Sequence, residues 1–117
     1  MKAVAIGASA GGLAALARIL PRLNDGFSAA VMVVQHIAPQ AGDALVDRFN
    51  GLCRLPVKEA WDKEPIAPGI IYFAPPDYHL MVEHDFHFSL SSEERVNFSR
   101  PSIDVLFETA LRSIVRT

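Results

Sequence analysis

The sequence predicts an α/β fold, with a doubly wound, mainly parallel sheet and an antiparallel hairpin extension, in a single domain of 117 residues. Apolar runs at 3–6 and 29–34 flank a helical pattern at 13–20, which is typical of a βαβ unit. Further strand-like runs follow, and an amphipathic helical pattern occupies 103–115. Half of the residues are hydrophobic, so we expect apolar surface to be buried in more than one layer.

The first half of the chain predicts two strands and two helices. Leu13, Leu16 and Leu20 share one helical stripe between the two apolar runs, and Pro21 ends this helix. Pro39 suits the first turn of a second helix. The residues expected on the buried stripe of that helix are Leu45, Val46, Phe49 and Leu52.

The second half predicts short strands, a hairpin and a helix. Strands are expected over 55–58 and 70–73, the latter stopped by two prolines. The runs 80–82 and 86–90 flank a polar turn and predict an antiparallel hairpin. The helix over 103–115 should bury one face, which comprises Ile103, Leu106, Phe107, Ala110, Leu111 and Ile114.

Composition argues against several classes of partner and compartment. The 11 basic and 13 acidic residues give a formal net charge of −2 without a basic cluster, so no nucleic-acid partner is expected. Cys53 is the single cysteine and is expected to be a packed thiol, which favours the cytoplasm. No apolar stretch of the sequence approaches the roughly 18 residues that span a bilayer.

The most informative motif is the sequence GASAGG at residues 7–12, with Ser9 near its centre. A strand, tight turn and helix in this order resemble the nucleophile elbow of serine hydrolases. Small residues permit a sharp reversal, and backbone N–H groups and the helix dipole would face developing negative charge. Glycine-rich turns also bind phosphate or serve a purely structural role, so the motif alone leaves three interpretations open.

His36 directly follows the second predicted strand. If the first two strands are parallel neighbours, Ser9 and His36 leave the same edge of the sheet on strands about 4.8 Å apart. We therefore expect Ser9 Oγ and an imidazole nitrogen within about 4 Å of each other, or bridged by one water. His79 is expected either to line this edge or to be structural, and His84 and His87 to be solvated, without a metal site.

A catalytic triad also needs an acid that orients the histidine. The loop and helix-start candidates are Asp25, Asp43, Asp77 and Asp104. The pattern places none of them beside His36, and the helix dipole is the better explanation of Asp104. The residues by themselves therefore predict a Ser-His dyad.

Separated motifs, in the same order, resemble the catalytic domain of the chemotaxis-type, receptor-modifying protein-glutamate methylesterases. They are GASAGG at 7–12, VVQHI at 33–37, PGIIY at 68–72, APPDYHL at 74–80 and RPSIDVLF at 100–107. The resemblance covers nearly the whole chain, and it favours the hydrolase interpretation of the first motif.

The resemblance implies a doubly wound α/β domain that hydrolyses γ-glutamyl methyl esters on cytoplasmic receptor helices and deamidates receptor glutamines. By motif, Ser9 is implied to be the nucleophile, His36 the general base and the backbone N–H of Ala10 an oxyanion donor. The family often has threonine at the position of Ala10. No cofactor is implied, and contact with the membrane is implied only through the receptor.

Two departures from the family pattern shape the expectation for this chain. The family's catalytic aspartate follows the helix that here ends near Val115, which implies a position after Thr117, and a form without a receiver domain before the first strand is expected. Residues 1–117 are therefore expected to be the N-terminal portion of a catalytic domain, poorly active alone and prone to self-association. The alternatives are a catalytically silent binding module of the same fold and a phosphate- or nucleotide-binding domain.

Overall fold

The computed structural model describes residues 2–8, 12–35, 42–92, 101 and 103–115. Their order is strand β1 (Ala3–Ala8), helix α1 (Leu13–Ile19), a 3-10 turn (Leu20–Arg22), strand β2 (Ala30–Gln35), helix α2 (Gly42–Leu52), strands β3 (Val57–Glu59), β4 (Ile71–Phe73), β5 (His79–Val82) and β6 (Phe88–Ser91), and helix α3 (Ile103–Val115). Among these described residues, no helix is long and apolar enough to cross a membrane.

The strands form two sheets. Four parallel strands lie in the order β1-β2-β4-β3, and β5 pairs with β6 in antiparallel orientation. The predicted α/β fold with a hairpin extension is thus confirmed. The strand expected over 55–58 lies slightly later, at Val57–Glu59. Because the four strands are parallel, their carboxyl ends meet at one edge, which we call the carboxyl edge.

Strand β2 is buried on both of its faces. Val31 and Val33 pack with α1 and α2 in one apolar cluster, while Met32 and Val34 pack with the hairpin and α3 in the other. Alternate side chains of a strand point to opposite faces, so one strand contributes to both layers. This double burial explains the continuous apolar run and gives the fold helices on both faces of the sheet.

The β5–β6 hairpin is held from two sides. The backbone N–H of Lys63 donates to the carbonyl of Phe88 at 2.8 Å, and that of Phe88 donates to Glu64 at 2.9 Å. On the other side, the N–H of Val82 donates to Thr109 Oγ1 of α3 at 3.0 Å. An isolated two-stranded hairpin is marginally stable in water, so these contacts fix its position over the sheet.

Three side chains differ from their expected positions. Leu45 and Phe49 of α2 are buried as predicted, but Leu52 at the end of the helix is 48% exposed. On α3, Phe107 is 47% exposed, so the expected apolar face is broader than the face in contact. Phe86 adopts a left-handed backbone conformation (φ 60°) in the hairpin turn and does not extend β6. In each case the hydrophobic pattern runs past the point where the element has a packing partner.

The end of β1 is in very close contact with the first residue of α3. A Cβ added to Gly7 would lie 2.6 Å from Cγ1 of Ile103, the first residue of α3, and 3.1 Å from its Cβ and Cδ1. Ile103 is β-branched and starts a helix, so it has little freedom to move aside. Glycine at this position therefore lets the helix start rest directly on the strand.

We expect Gly7→Ala to destabilise the fold by about 1–3 kcal/mol, because the added methyl group overpacks the contact with Ile103. Urea unfolding measures this change. The matched control is Gly51→Ala in α2, where no atom lies within 4 Å of the added Cβ and alanine favours the helix by up to about 1 kcal/mol. Equal stability of Gly7→Ala and the parent chain would contradict this account of the contact.

We also expect the 117-residue polypeptide to self-associate or aggregate. Within the described residues β1 pairs on one side only, with β2, and Val4 and Phe107 expose apolar surface on β1 and the adjoining α3. An unpaired strand edge with apolar neighbours is a template for association. Sedimentation equilibrium over a wide concentration range measures it, and Val4→Lys should weaken association more than the control Leu52→Lys. A monomer at all concentrations with a cooperative thermal transition would contradict this expectation.

Candidate active site

The carboxyl edge is the natural place for a site in this fold. Its four strands end at Ala8, Gln35, Phe73 and Glu59. In the parallel register of β1 and β2, Ala8 is the direct partner of Gln35. Ligands and catalytic groups of open α/β sheets gather at this edge, so the residues that follow these strand ends are the candidates.

Ser9 and His36 are the next residues along the chain after that last registered pair. Ser9 follows Ala8, and His36 follows Gln35. Ser9, Ala10 and His36 lie outside the described residues, so their close approach stays a prediction. The described register satisfies the condition on which that prediction depends, since β1 and β2 are parallel neighbours that end at the same level.

Gly12 has a packing role that the sequence did not reveal. It is the N-cap of α1 with φ −80° and ψ −13°, a right-handed conformation that any residue adopts. A Cβ added here would lie 2.8 Å from the Cβ of Ala8. The glycine therefore permits close approach of the start of α1 to the end of β1. The sharp reversal inferred from the sequence concerns residues 9–11, which lie outside the described part.

The start of α3 adjoins the same strand end. Ile103 rests on Gly7, and Pro101, two residues before it, is buried. The first residue of α3 thus contacts β1 two residues before Ser9. Arg100 and Ser102, the other members of this motif, lie outside the described residues. No local pattern of the sequence predicts the contact of Ile103 with Gly7, because it joins distant parts of the chain.

The loop after β4 forms the neighbouring part of the carboxyl edge. The backbone N–H of Ala74 donates to the carbonyl of Val33 at 2.9 Å, which extends the β2–β4 pairing beyond Phe73. Asp77 then adopts a left-handed conformation (φ 66°) and Tyr78 is exposed. Two preceding prolines and this turn redirect the chain from the parallel sheet into the hairpin.

His79 is the first residue of β5 and is only 3% exposed. It is registered with Ser91 of β6, so it belongs to the hairpin and not to the parallel sheet. This burial favours the structural interpretation of His79 over a place on the carboxyl edge. His87 lies near the hairpin turn, where its Nδ1 is 3.4 Å from Asp85 Oδ1.

The candidate acids occupy different parts of the fold. Asp43 and Asp104 lie in the first turns of α2 and α3, where the helix dipole favours a carboxylate. Asp25 is exposed in the turn that precedes β2, at the opposite edge of the sheet. Asp77 follows β4, the strand next to β2. Because His36 lies outside the described residues, the structure does not test any of these four carboxylates as its partner.

Two groups near α2 and β3 have raised pKa values. Burial raises the pKa of the Glu59 carboxyl at the end of β3, and the nearby charge of Asp43 raises it further. Burial also raises the pKa of the Cys53 thiol, which agrees with the packed thiol expected from the sequence. Within the described ranges no group of three or more His, Cys, Asp or Glu side chains could hold a metal ion.

Comparisons with known proteins identify a family. A sequence model described as CheB methylesterase matches residues 4–117. A putative protein-glutamate methylesterase/protein-glutamine glutaminase of Leptospira interrogans serogroup Icterohaemorrhagiae serovar copenhageni is 50% identical over 109 residues, or 93% of this chain and 56% of that relative. A protein-glutamate methylesterase/protein-glutamine glutaminase of Thermotoga maritima is 38% identical over 112 residues, or 93% of this chain and 33% of that protein.

A solved structure matches the fold closely. The crystal structure of the Thermotoga maritima CheB methylesterase catalytic domain aligns with a TM-score of 0.89 and 37% identity, over 95% of this chain and 60% of that chain. The chain thus spans about half the length (56%) of the Leptospira relative. Because the family model covers nearly the whole sequence and the solved fold agrees with it, this chain belongs to the CheB methylesterase family.

Proposed function

We propose that this chain carries the nucleophile and the general base of a protein-glutamate methylesterase. Ser9 is the nucleophile, His36 the general base, and the backbone N–H of Ala10 an oxyanion donor. The substrates are γ-glutamyl methyl esters, and by the same chemistry glutamine amides, on the cytoplasmic helices of chemotaxis-type receptors. The observation that carries the proposal is the parallel register of Ala8 with Gln35, because Ser9 and His36 follow directly.

The proposed reaction has two steps. Ser9 Oγ attacks the ester carbonyl while His36 accepts its proton, and the oxyanion accepts a hydrogen bond from the backbone N–H of Ala10. The intermediate collapses, and methanol leaves with the proton from His36. Water then attacks the acyl-serine, again losing a proton to His36, which returns it to Ser9 Oγ as the glutamate carboxylate is released. For a glutamine substrate the leaving group is ammonia.

The described fold supports this assignment by its rigidity around β1. Ile103 packs on Gly7, and Gly12 packs on Ala8, so helices contact the last two residues of the strand. The strand end that Ser9 follows in the sequence is thus held by packing from both helices. The proposal needs no metal or cofactor, because serine, histidine and backbone N–H groups suffice for acyl transfer. We place this activity in the cytoplasm, with the receptor as the link to the membrane.

The acid, which is the third member of a catalytic triad, affects the expected rate of ester hydrolysis. Loss of the triad carboxylate typically lowers turnover about 10⁴-fold, because the imidazole is neither held in the right tautomer nor stabilised when charged. We expect the 117-residue polypeptide to release methanol from a glutamyl methyl ester peptide about 10⁴-fold more slowly than a complete triad enzyme. Fast, Ser9-dependent release would mean that another residue of this chain replaces the acid.

A chimaera tests the proposed roles directly. The part of the Thermotoga maritima catalytic domain that follows its matched region is appended after Thr117, and methanol release is measured. We expect activity that Ser9→Ala and His36→Gln each abolish, since each removes a reacting group. The matched controls are Ser28→Ala and His84→Gln, which change exposed residues away from the carboxyl edge of the sheet. An active Ser9→Ala chimaera would overturn the assignment, and an inactive parent chimaera with a native fold would favour a silent binding module.

A further inference from the structure

A cleft of about 410 Å³ lies between α2 and β3, at the far end of the carboxyl edge from β1. It combines apolar walls with carboxylates and an exposed aromatic ring, and its lining residues are Asp43, Val46, Asp47, Val57, Lys58, Glu59 and Trp61. We call it the α2–β3 cleft. Strand β3 lies two strand spacings from β2, or about 10 Å, so the cleft and the end of β2 share one surface.

Trp61 gives the cleft a rigid apolar rim. Its side chain is 65% exposed, more than any other large hydrophobic side chain among the described residues. The backbone N–H of Trp61 donates to Glu64 Oε1 at 2.9 Å, and the Nζ of Lys58 lies 3.6 Å from the centre of its ring. Exposed tryptophans are costly in a free surface and enriched at binding hot spots, where their rings also attract cations.

The charges of the cleft are unbalanced. Asp43, Asp47 and Glu59 form no salt bridge with any described residue, while Lys58, the basic lining residue, forms its salt bridge with Glu64. Glu59 is partly buried and faces the charge of Asp43, which opposes its ionisation. A positive charge placed in the cleft would therefore be attracted by several carboxylates that no described basic side chain neutralises in a salt bridge.

From the cavity, the exposed ring and this charge we propose that the α2–β3 cleft docks a lysine- or arginine-bearing segment of a partner polypeptide. The aliphatic stem of such a side chain packs on Trp61, Val46 and Val57, and its cationic head lies among the carboxylates. Long basic side chains match both the apolar residues and the carboxylates of this lining, whereas a small ion or an acidic peptide does not. The inference goes beyond the proposed hydrolysis and does not depend on it.

The environment of Glu59 makes a separate prediction. Its folded-state pKa lies above the value of 4.5 for the free group, so protonation favours the folded state. This stabilising contribution is fully present below the unfolded pKa and is lost as the pH rises through the folded pKa. The charge that faces Glu59 is that of Asp43 from α2, Asp47 and Lys58 also line the cleft, and the β4 partner of Glu59, Phe73, is uncharged.

We therefore expect Glu59→Gln to be at least as stable as the parent chain at pH 7, because the variant carries no buried charge there. The stability advantage should disappear below pH 4.5, where the parent carboxyl is protonated in both states. Urea unfolding at the two pH values measures it. A Glu59→Gln variant that is less stable at neutral pH would indicate that the carboxylate has a stabilising partner.

Tryptophan fluorescence can report binding in the cleft, because Trp61 is the only tryptophan of the sequence. The 117-residue chain is titrated with a hexalysine peptide while tryptophan fluorescence is recorded. We expect a saturable change that weakens as the salt concentration rises. The variant D47N/E59Q should bind at least about tenfold more weakly, because two charge contacts are removed. The control variant D25N/D104N makes the same change in net charge outside the cleft and should bind like the parent.

Each other outcome overturns the proposal. Equal affinity of the cleft variant and the control variant would mean that net charge alone attracts the peptide. An equal response to hexaglutamate would exclude charge complementarity. The same fluorescence change with calcium or magnesium chloride at the peptide's concentration would indicate a cation site. No response to hexalysine, with the native fold verified by circular dichroism, would leave the cleft without its proposed occupant.

Discussion

The parallel pairing of β1 with β2 is the interaction on which the rest of the structure depends. Six consecutive residue pairs run from Ala3 opposite Ala30 to Ala8 opposite Gln35. A shift of one residue would move the valines that pack against α1 and α2 to the opposite layer, so the side-chain packing of both layers depends on this register. The same register brings both strand ends to one level, which any chemistry shared by the following residues requires.

The end of β1 is contacted from both of its faces. Gly7 receives Ile103 of α3, and its neighbour Ala8 receives Gly12 at the start of α1. Successive residues of a strand point to opposite faces, so these contacts come from the two helical layers. Glycine is needed in both contacts because each leaves no room for a Cβ. Packing therefore accounts for the glycines at the two ends of the sequence GASAGG.

The elements could be predicted from local pattern, while their arrangement could not. The apolar run of β2 and the period of α3 follow directly from which faces are buried. The insertion of β4 between β2 and β3 could not be predicted, since short apolar runs do not specify their neighbours. Likewise, the contact of Gly7 with Ile103 joins segments that are distant in the sequence, so no local sequence pattern predicts it. The exposure of Leu52 and Phe107 has the same origin, because the hydrophobic stripe of a helix does not determine how much of it other elements bury.

The candidate site could be predicted only in part, for a related reason. Ser9 and His36 follow recognisable strands, so topology alone suggests their meeting. The α2–β3 cleft instead arises from a short strand, a helix start and a loop that become neighbours only in the folded chain. A tryptophan two residues after the end of a short strand, with a carboxylate at that strand end, is the signal that could have drawn attention to it.

Electrostatics connects the two ends of the carboxyl edge. The proposed reaction at Ser9 creates an oxyanion after the end of β1, and β3 at the α2–β3 cleft lies three strand spacings, or about 14 Å, from β1. Two like charges at about 14 Å repel by roughly 0.3 kcal/mol in water, and by about 1.2 kcal/mol at an effective dielectric constant of 20. A basic segment in the cleft would reduce this repulsion as well as supply contact. Docking of the proposed kind would thus favour the charge that develops in hydrolysis, without any movement of the sheet.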